Sequence, residues 1–362
     1  MKAVAVNPAN KQVGLVDIEE PMQLGDTQVR IRVLEVGVCG TDKEICRFEY
    51  GTPPGGADYL VLGHEALGII EDAGANVTRV KQGDLAAVMV RRPCHNPACN
   101  PCRAGRQDFC YTGDYFERGI DRYHGFMTSY VVDEQEYVCP IPSELRDIAV
   151  LTEPLTIAEK GLQQMSDVQD RLPWGNVKGH RAVVLGAGPV GLLGAMALRV
   201  RGFDTYVYSR EPHGDARAQL VAAMGATYVS STEKNADQLA AQVGNIDLIY
   251  EATGVSSVSF DVLRVLGVNG VCIFTGIPGL HGPTPTDVNA IMRSLVLKNQ
   301  LVLGTVNAHR PAFENAISDL GKFRRQFPEA IGALISKRFQ ISEHADLLLG
   351  RAGGIKNVIA LS

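Results

Sequence analysis

The sequence predicts an α/β protein in two parts, a β-rich part followed by a doubly wound parallel sheet. Two observations carry this. Residues 1–150 hold short runs rich in Val and Ile, separated by Gly, Asp and Pro, which read as strands closed by turns. After about Pro173, short and almost wholly apolar runs alternate with longer helical patterns. That is the rhythm of parallel strands buried on both faces and their covering helices.

In the first part "VRIRVLEVGVCG", "ALGIIEDAG", "GDLAAVMV" and "FMTSYVV" are the strand candidates, mostly too short for helices. They suggest a partly closed antiparallel barrel or sandwich. "EPLTIAEKGLQQMSDVQDRL" reads as a helix leading into the second part. There "RAVVLG", "DTYVYS", "ATYVS", "IDLIYEATG" and "VCIFTG" read as strands. "VGLLGAMALRVRG", "DARAQLVAAMG" and "SFDVLRVLGVNG" read as helices between them. The tail carries helix patterns in "AFENAISDLGKF" and "HADLLLGR" and a last strand, "NVIAL", and is expected to return to the first part. The expected domains are 1–177 with 309–362, and 178–308.

The chain has 362 residues, 45% apolar and 21% charged, as in ordinary globular proteins. Its net charge of −5 argues against nucleic acid as the main partner. "MKAVAVNPAN" lacks a long apolar signal region. No run reaches the ~18 apolar residues of a membrane span. A cytoplasmic protein is expected. In that compartment clustered cysteines lean toward metal rather than disulfides.

"VVLGAGPVG" places Gly186, Gly188 and Gly191 in G-x-G-x-x-G spacing after a strand and at the start of a helix. In that context the pattern is a dinucleotide fingerprint rather than a glycine-rich turn without ligand. Gly186 allows the tight turn, Gly188 the approach of a pyrophosphate, and Gly191 close packing of helix on strand. Pro189 and Val190 in this turn, and Thr253 and Gly254 in "EATG", are expected to bind the cofactor as well. "YSREP" ends the second strand with Ser209, Arg210 and Glu211. Ser209 and Arg210 suit the 2′-phosphate of NADP, while Glu211 keeps NAD open.

"PCHNPACNPCRAGRQDFC" brings Cys94, Cys99, Cys102 and Cys110 together. A metal cage, a redox pair at Cys99 and Cys102, and disulfides are the possible readings. No helix start that would activate a thiolate is legible there. Four thiolates would saturate a zinc ion and leave no place for substrate. Elsewhere "GVCGTD" holds Cys39 and Thr41, "LGHEALG" His64 and Glu65, and "LTEPL" Glu153. A Cys, a His and a carboxylate make a three-ligand zinc site with an open position. His95, His124, His180, His213, His281, His309 and His344 have no partner pattern, and Cys46, Cys139 and Cys272 read as ordinary thiols.

These motifs, in this order, resemble the zinc-containing medium-chain dehydrogenase/reductase family over essentially the full length. The resemblance implies a GroES-like catalytic domain and a Rossmann cofactor domain. Within the family the chain is similar to archaeal-type glucose dehydrogenases, through "VLGHEALG", "GRQDFCYTGDYFERGI", "HGFMTSY", "EPLTIAEK" and "GTVNAHRPAFENA". The resemblance implies a catalytic zinc on Cys39, His64 and Glu153, with Glu65 a nearby or intermittent ligand. It implies a structural zinc on the four-cysteine lobe, whose first gap, Cys94 to Cys99, is wider than usual by two residues. Thr41 would relay the hydroxyl proton, unless it only caps a turn. Glu117 and Asn307 would hold sugar hydroxyls with Thr41 and Glu153, and Asn307 would also lie near the nicotinamide.

Ile157 and Leu297 depart from a branch that has Asp and His at these places. Galactose, xylose or another aldose is therefore open beside glucose. The expected activity is oxidation of an aldose at C1 with NADP⁺ or NAD⁺, by a homodimer or homotetramer. A polyol, threonine or simple alcohol dehydrogenase is the alternative, and a non-catalytic cofactor-binding protein is a third reading.

Overall fold

The computed structural model describes residues 1–173, 178–279 and 282–361; His281 lies outside them. In chain order the elements begin with β1 (Lys2–Asn7), β2 (Gln12–Asp17), β3 (Gln28–Val38), α1 (Gly40–Cys46), β4 (Leu60–Val61), β5 (Glu65–Ala73) and β6 (Leu85–Val88). β7 (Arg91–Arg92), α2 (Asn100–Arg103), β8 (Phe116–Arg118), β9 (Arg122–Tyr123), β10 (Tyr130–Glu134) and β11 (Val138–Ile141) follow. After α3 (Thr152–Gln169) come β12 (Arg181–Leu185), α4 (Pro189–Val200), β13 (Asp204–Ser209), α5 (Ala216–Ala223), β14 (Thr227–Ser230) and α6 (Ala236–Val243). Next are β15 (Leu248–Glu251), α7 (Ser256–Leu263), β16 (Val271–Phe274), α8 (Val288–Leu297) and β17 (Leu301–Gly304). α9 (Arg310–Gln326), α10 (Pro328–Leu334), β18 (Ile335–Gln340), α11 (His344–Leu348) and β19 (Lys356–Ala360) complete the chain.

The chain forms two compact units: Met1–Thr156 with Asn307–Leu320 and Leu334–Ser362, and Ile157–Val306 with Gly321–Ala333. In the first, a seven-stranded sheet runs β11-β6-β5-β3-β19-β18, with β10 also paired to β3. β3 is its hub. Val29, Ile31 and Val33 point inward while Arg30 and Arg32 do not, a period of two. Beyond Val33 β3 lies between β5 and β19 and is buried on both faces. Part of the tail joins this sheet, β19 pairing antiparallel with β3 and parallel with β18, while Gly321–Ala333 belongs to the second unit. The core gathers Val4, Val33, Val36, Leu62, Phe126 and Ile359.

The second unit holds a parallel six-stranded sheet of order β14-β13-β12-β15-β16-β17. Strand order reverses between β12 and β15, the point where such sheets bind ligands. α4 is buried on nearly every side from Gly191 to Leu198, which explains its unbroken apolar run.

Three local expectations differ. The "FMTSYVV" strand begins only at Tyr130. Phe126 and Met127 are instead buried at a turn bonded to Gly63 and Leu62. α7 stops at Leu263, because Gly267 and Gly270 turn closely against the Ile246 carbonyl. α6 went unread, although Asn235 and Gln238 form its reciprocal capping box.

Candidate active site

Cys39 directly follows β3 and caps the start of α1. Its thiol sulfur accepts from the Thr41 N–H at 3.3 Å, and its own N–H donates to Asp42 Oδ2 at 2.9 Å. His64 directly precedes β5, with Nε2 3.0 Å from Cys39 Sγ and Nδ1 3.4 Å from Asp42 Oδ1. Asp42 is wholly buried. A carboxylate behind a ligating imidazole fixes its tautomer and direction. Glu65 opens β5, and the ligand atoms of Cys39, His64 and Glu65 lie within 4.8 Å of one another.

This mixed sulfur, nitrogen and oxygen set fits zinc. Burial works against charge on His64, but the Cys39 and Asp42 charges hold its value well above the ordinary one. Burial, helped by Glu65, pushes the Glu153 carboxyl up to about 7 against the pull of His64 and Lys356. Glu153 stands on the first turn of α3, outside the 4.8 Å cluster.

The buried Lys356 of β19 pairs with Glu65 and donates to the Val38 carbonyl at 3.0 Å. The pair meets across β3 at Gly37, which stands opposite Glu65 in register. A Cβ at Gly37 would lie 2.0 Å from Glu65 Oε2 and 2.9 Å from Lys356 Cε. Only glycine leaves that space. Lys356 was not singled out from sequence, and Asp42 was read only as a member of "GVCGTD", without a role of its own.

The sulfurs of Cys94, Cys99, Cys102 and Cys110 also lie within 4.8 Å of one another. Cys94 and Cys102 are 3.7 Å apart, Cys99 and Cys110 3.9 Å. Tetrahedral zinc with about 2.3 Å bonds places its sulfurs about 3.8 Å apart. The wide first gap therefore still reaches one cage. The structure corrects one reading: Cys99 does stand at a helix start, as the cap of α2. The backbone N–H groups of Cys102 and Tyr111 lower its thiol value. Burial acts to raise Cys110, but Thr112 holds it down at about 6. His95 packs on Phe116 and is not in the cage. Burial pushes Cys46 up to about 12 and Cys139 to about 11, and raises Cys272.

Glu117 is buried on β8, and Asn307 Nδ2 donates to its Oε1 at 2.7 Å. Two residues far apart in sequence thus meet as one polar group. Asn307 has a φ of 58° and accepts the Ala308 N–H on its own Oδ1, which orients the amide.

In the second unit β12 ends at Leu185, and Gly186 turns with a φ of 100°. Gly188 caps α4 and Pro189 is its first residue. A Cβ on Gly191 would lie 2.1 Å from the Gly186 carbonyl oxygen. Gly186 thus makes a tight turn and Gly191 packs closely on it, while a Cβ at Gly188 would meet no atom within 4 Å. Glu251, also unread from sequence, shapes the neighbouring turn. Its carboxylate accepts from Thr253 N, Thr253 Oγ1, Gly254 N and Gly276 N. At the end of β13, the Glu211 carboxylate is engaged by Ser209 and by Arg217. The Arg210 side chain is 87% exposed.

The family description "Glucose dehydrogenase C-terminus" matches residues 146–361, and "Alcohol dehydrogenase GroES-like domain" matches residues 25–143. The glucose 1-dehydrogenase of Methanocella arvoryzae is 36% identical over 362 residues, covering 100% of this chain and 99% of its own. The chain belongs to the glucose dehydrogenase family of medium-chain dehydrogenases. Glucose 1-dehydrogenase 1 of Vulcanisaeta moutnovskia is 37% identical over 371 residues, with 100% and 99% covered. The solved glucose dehydrogenase of Haloferax mediterranei, in complex with NADP, Zn and gluconolactone, superposes with a TM-score of 0.90. It is 31% identical and covers 100% of this chain and 99% of its own. Galactitol-1-phosphate dehydrogenase from Escherichia coli, at 21% identity and a TM-score of 0.81, shares the fold.

Proposed function

We propose that this dehydrogenase oxidises D-glucose and related aldoses at C1 to the lactone, with NADP⁺ as oxidant. One observation carries the reading. Three metal-ligating atoms, with His64 backed by buried Asp42, converge in a chain similar along its full length to glucose 1-dehydrogenases. Cys39, His64 and a carboxylate, Glu65 or Glu153, would hold the catalytic ion. The four-cysteine cage would hold a second ion, closed to substrate by its four sulfurs. When bound, zinc supplies Lewis-acid stabilisation of the alkoxide forming at the anomeric oxygen, and NADP⁺ accepts the hydride from C1.

The chain's own residues do the rest. Thr41, anchored by its N–H to Cys39 Sγ, offers the hydroxyl that relays the substrate proton. Glu117 and Asn307 accept and donate to ring hydroxyls. The first unit carries these groups, and the second carries the dinucleotide turn.

Initial rates with glucose, galactose, sorbitol, threonine and ethanol, each with NADP⁺ and NAD⁺, test the reading. Aldoses should be the fastest substrates; no rate on any aldose would sink it. Ile157 and Leu297 supply no hydroxyl-binding group, and Leu297 is 66% exposed. Discrimination among aldoses should accordingly be modest.

For the cofactor, the Ser209 hydroxyl and Arg217 overcome burial and hold the Glu211 carboxylate below its usual range. Engaged in this way, Glu211 is poorly placed to accept ribose hydroxyls, while Arg210, its Nε 3.8 Å from that carboxylate, stays largely exposed. Arg210→Ala should raise KM for NADP⁺ about tenfold and that for NAD⁺ less than about twofold, because only NADP⁺ carries the 2′-phosphate. Equal effects on both would remove Arg210 as the reader.

A homo-oligomer suits the second unit. The outer edge of β17 has no partner strand among the described residues, and α8 exposes Val288, Met292, Val296 and Leu297. No described helix is long and apolar enough to cross a membrane. A reducing cytoplasm suits the eight unpaired cysteines.

A further inference from the structure

We infer that Arg91 is the positioning residue for the sugar-binding carboxylate, and that the four-cysteine lobe acts on substrate binding through it. The inference rests on the reading of Glu117 as that carboxylate. Arg91 and Glu117 stand directly opposite each other on the short antiparallel ladder of β7 and β8, with Arg92 opposite Phe116. The whole cysteine lobe is the loop that joins these two strands. A ladder of two residue pairs does not hold itself together. Its geometry depends on what closes the loop, and the cage of Cys94, Cys99, Cys102 and Cys110 closes it.

Arg91 is buried, with one face of its guanidinium on an aromatic ring and its nitrogens held by the carboxylate and a backbone carbonyl. Its plane lies 3.6 Å over the Tyr115 ring. Nε and Nη2 approach Glu117 Oε1 at 3.0 and 2.9 Å. Nη1 reaches the Asp108 carbonyl at 3.5 Å, and the Arg91 carbonyl accepts from Gln107 Nε2 at 3.4 Å. Tyr115, Asp108 and Gln107 all belong to the segment between the two strands. With Asn307, three donors converge on Oε1. Oε2 has no protein donor among the described residues. One oxygen is clamped and the other left to accept from a hydroxyl. A planar fork can clamp in this way, whereas an ammonium cannot.

The test compares KM and kcat for glucose and its monodeoxy analogues, and KM for NADP⁺, in Arg91→Lys, Glu117→Gln and Cys110→Ser, with zinc content measured throughout. Arg91→Lys should raise glucose KM about tenfold or more while kcat and the NADP⁺ KM stay within about threefold. The deoxy sugar that lacks the hydroxyl held by Glu117 should be affected least. Cys110→Ser, having lost one zinc per chain, should show the same pattern. Tyr115→Leu, which removes only the stacking face, should do so more weakly and serves if Arg91→Lys does not fold. A purely structural Arg91 would lower the melting temperature and leave the sugar KM unchanged. An unchanged sugar KM in Arg91→Lys, with Glu117→Gln raised, overturns the inference and spares the reading of Glu117. If Glu117→Gln changes no sugar KM, that reading falls and the inference with it. A normal sugar KM in zinc-deficient Cys110→Ser overturns the role of the lobe.

Discussion

Cys39→Ala is expected to abolish sugar oxidation, by about a thousandfold or more, and to lower zinc from two ions per chain to one. The two donor clusters are separate, so the cage should keep its ion. Lewis-acid stabilisation is worth several kcal/mol, and each 1.36 kcal/mol is tenfold in rate. The fold should survive, because the change removes one helix cap, about 1 kcal/mol. Metal analysis, turnover and a thermal scan on one sample check it, and an active Cys39→Ala enzyme refutes the ligand assignment.

The same site should bind zinc more weakly as pH falls. In the metal-free fold Glu153 titrates at about 7 and His64 is raised well above its ordinary value. Values raised in the folded state favour the protonated forms. For Glu153 that contribution to stability is full below 4.5 and is lost as pH rises through about 7. Zinc must displace the His64 proton, and the Glu153 proton too where Glu153 is the carboxylate ligand. Each one displaced should weaken binding about tenfold per pH unit below its folded value. Zinc titrations at several pH values, with proton release recorded, read this directly. Binding that is flat between pH 6 and 8 would contradict it.

Lys356→Met is expected to cost about 3–5 kcal/mol of stability, because it strands the buried Glu65 carboxylate. The methionine fills similar volume, so the loss is electrostatic rather than a cavity. Adding Glu65→Gln should restore much of it, a coupling that separates an uncompensated charge from lost packing. Denaturant titration of the metal-free protein measures both. A loss below about 1 kcal/mol would show that Lys356 is not what holds Glu65.

Much of this protein is legible residue by residue. The strand-and-helix alternation, the glycine turn and the four cysteines are local patterns, set by the period of burial and by spacings of a few residues. Candidate ligands such as Cys39 and His64 stand out because their chemistry is rare and their neighbours carry a family pattern. What went unread has two causes. α6 and the helix start at Cys99 are short; the first has a polar cap segment, "EKN", and the second a Pro in its first turn, so both resemble loops in sequence. Lys356, Arg91 and Glu251 escaped because nothing in their own surroundings distinguishes them from solvated charges.

The sequence by itself therefore determined the two-part architecture, the dinucleotide turn and the kinds of atom available to hold metal. Tertiary structure alone decided which charges meet. Register sets Glu65 opposite Gly37 and Arg91 opposite Glu117, and Asn307 closes on a carboxylate 190 residues away. A buried charge must find a partner, and that partner is chosen by which strands lie side by side. Side-by-side placement is a long-range property of the packed sheet, whereas periodicity is written into each short segment of the chain.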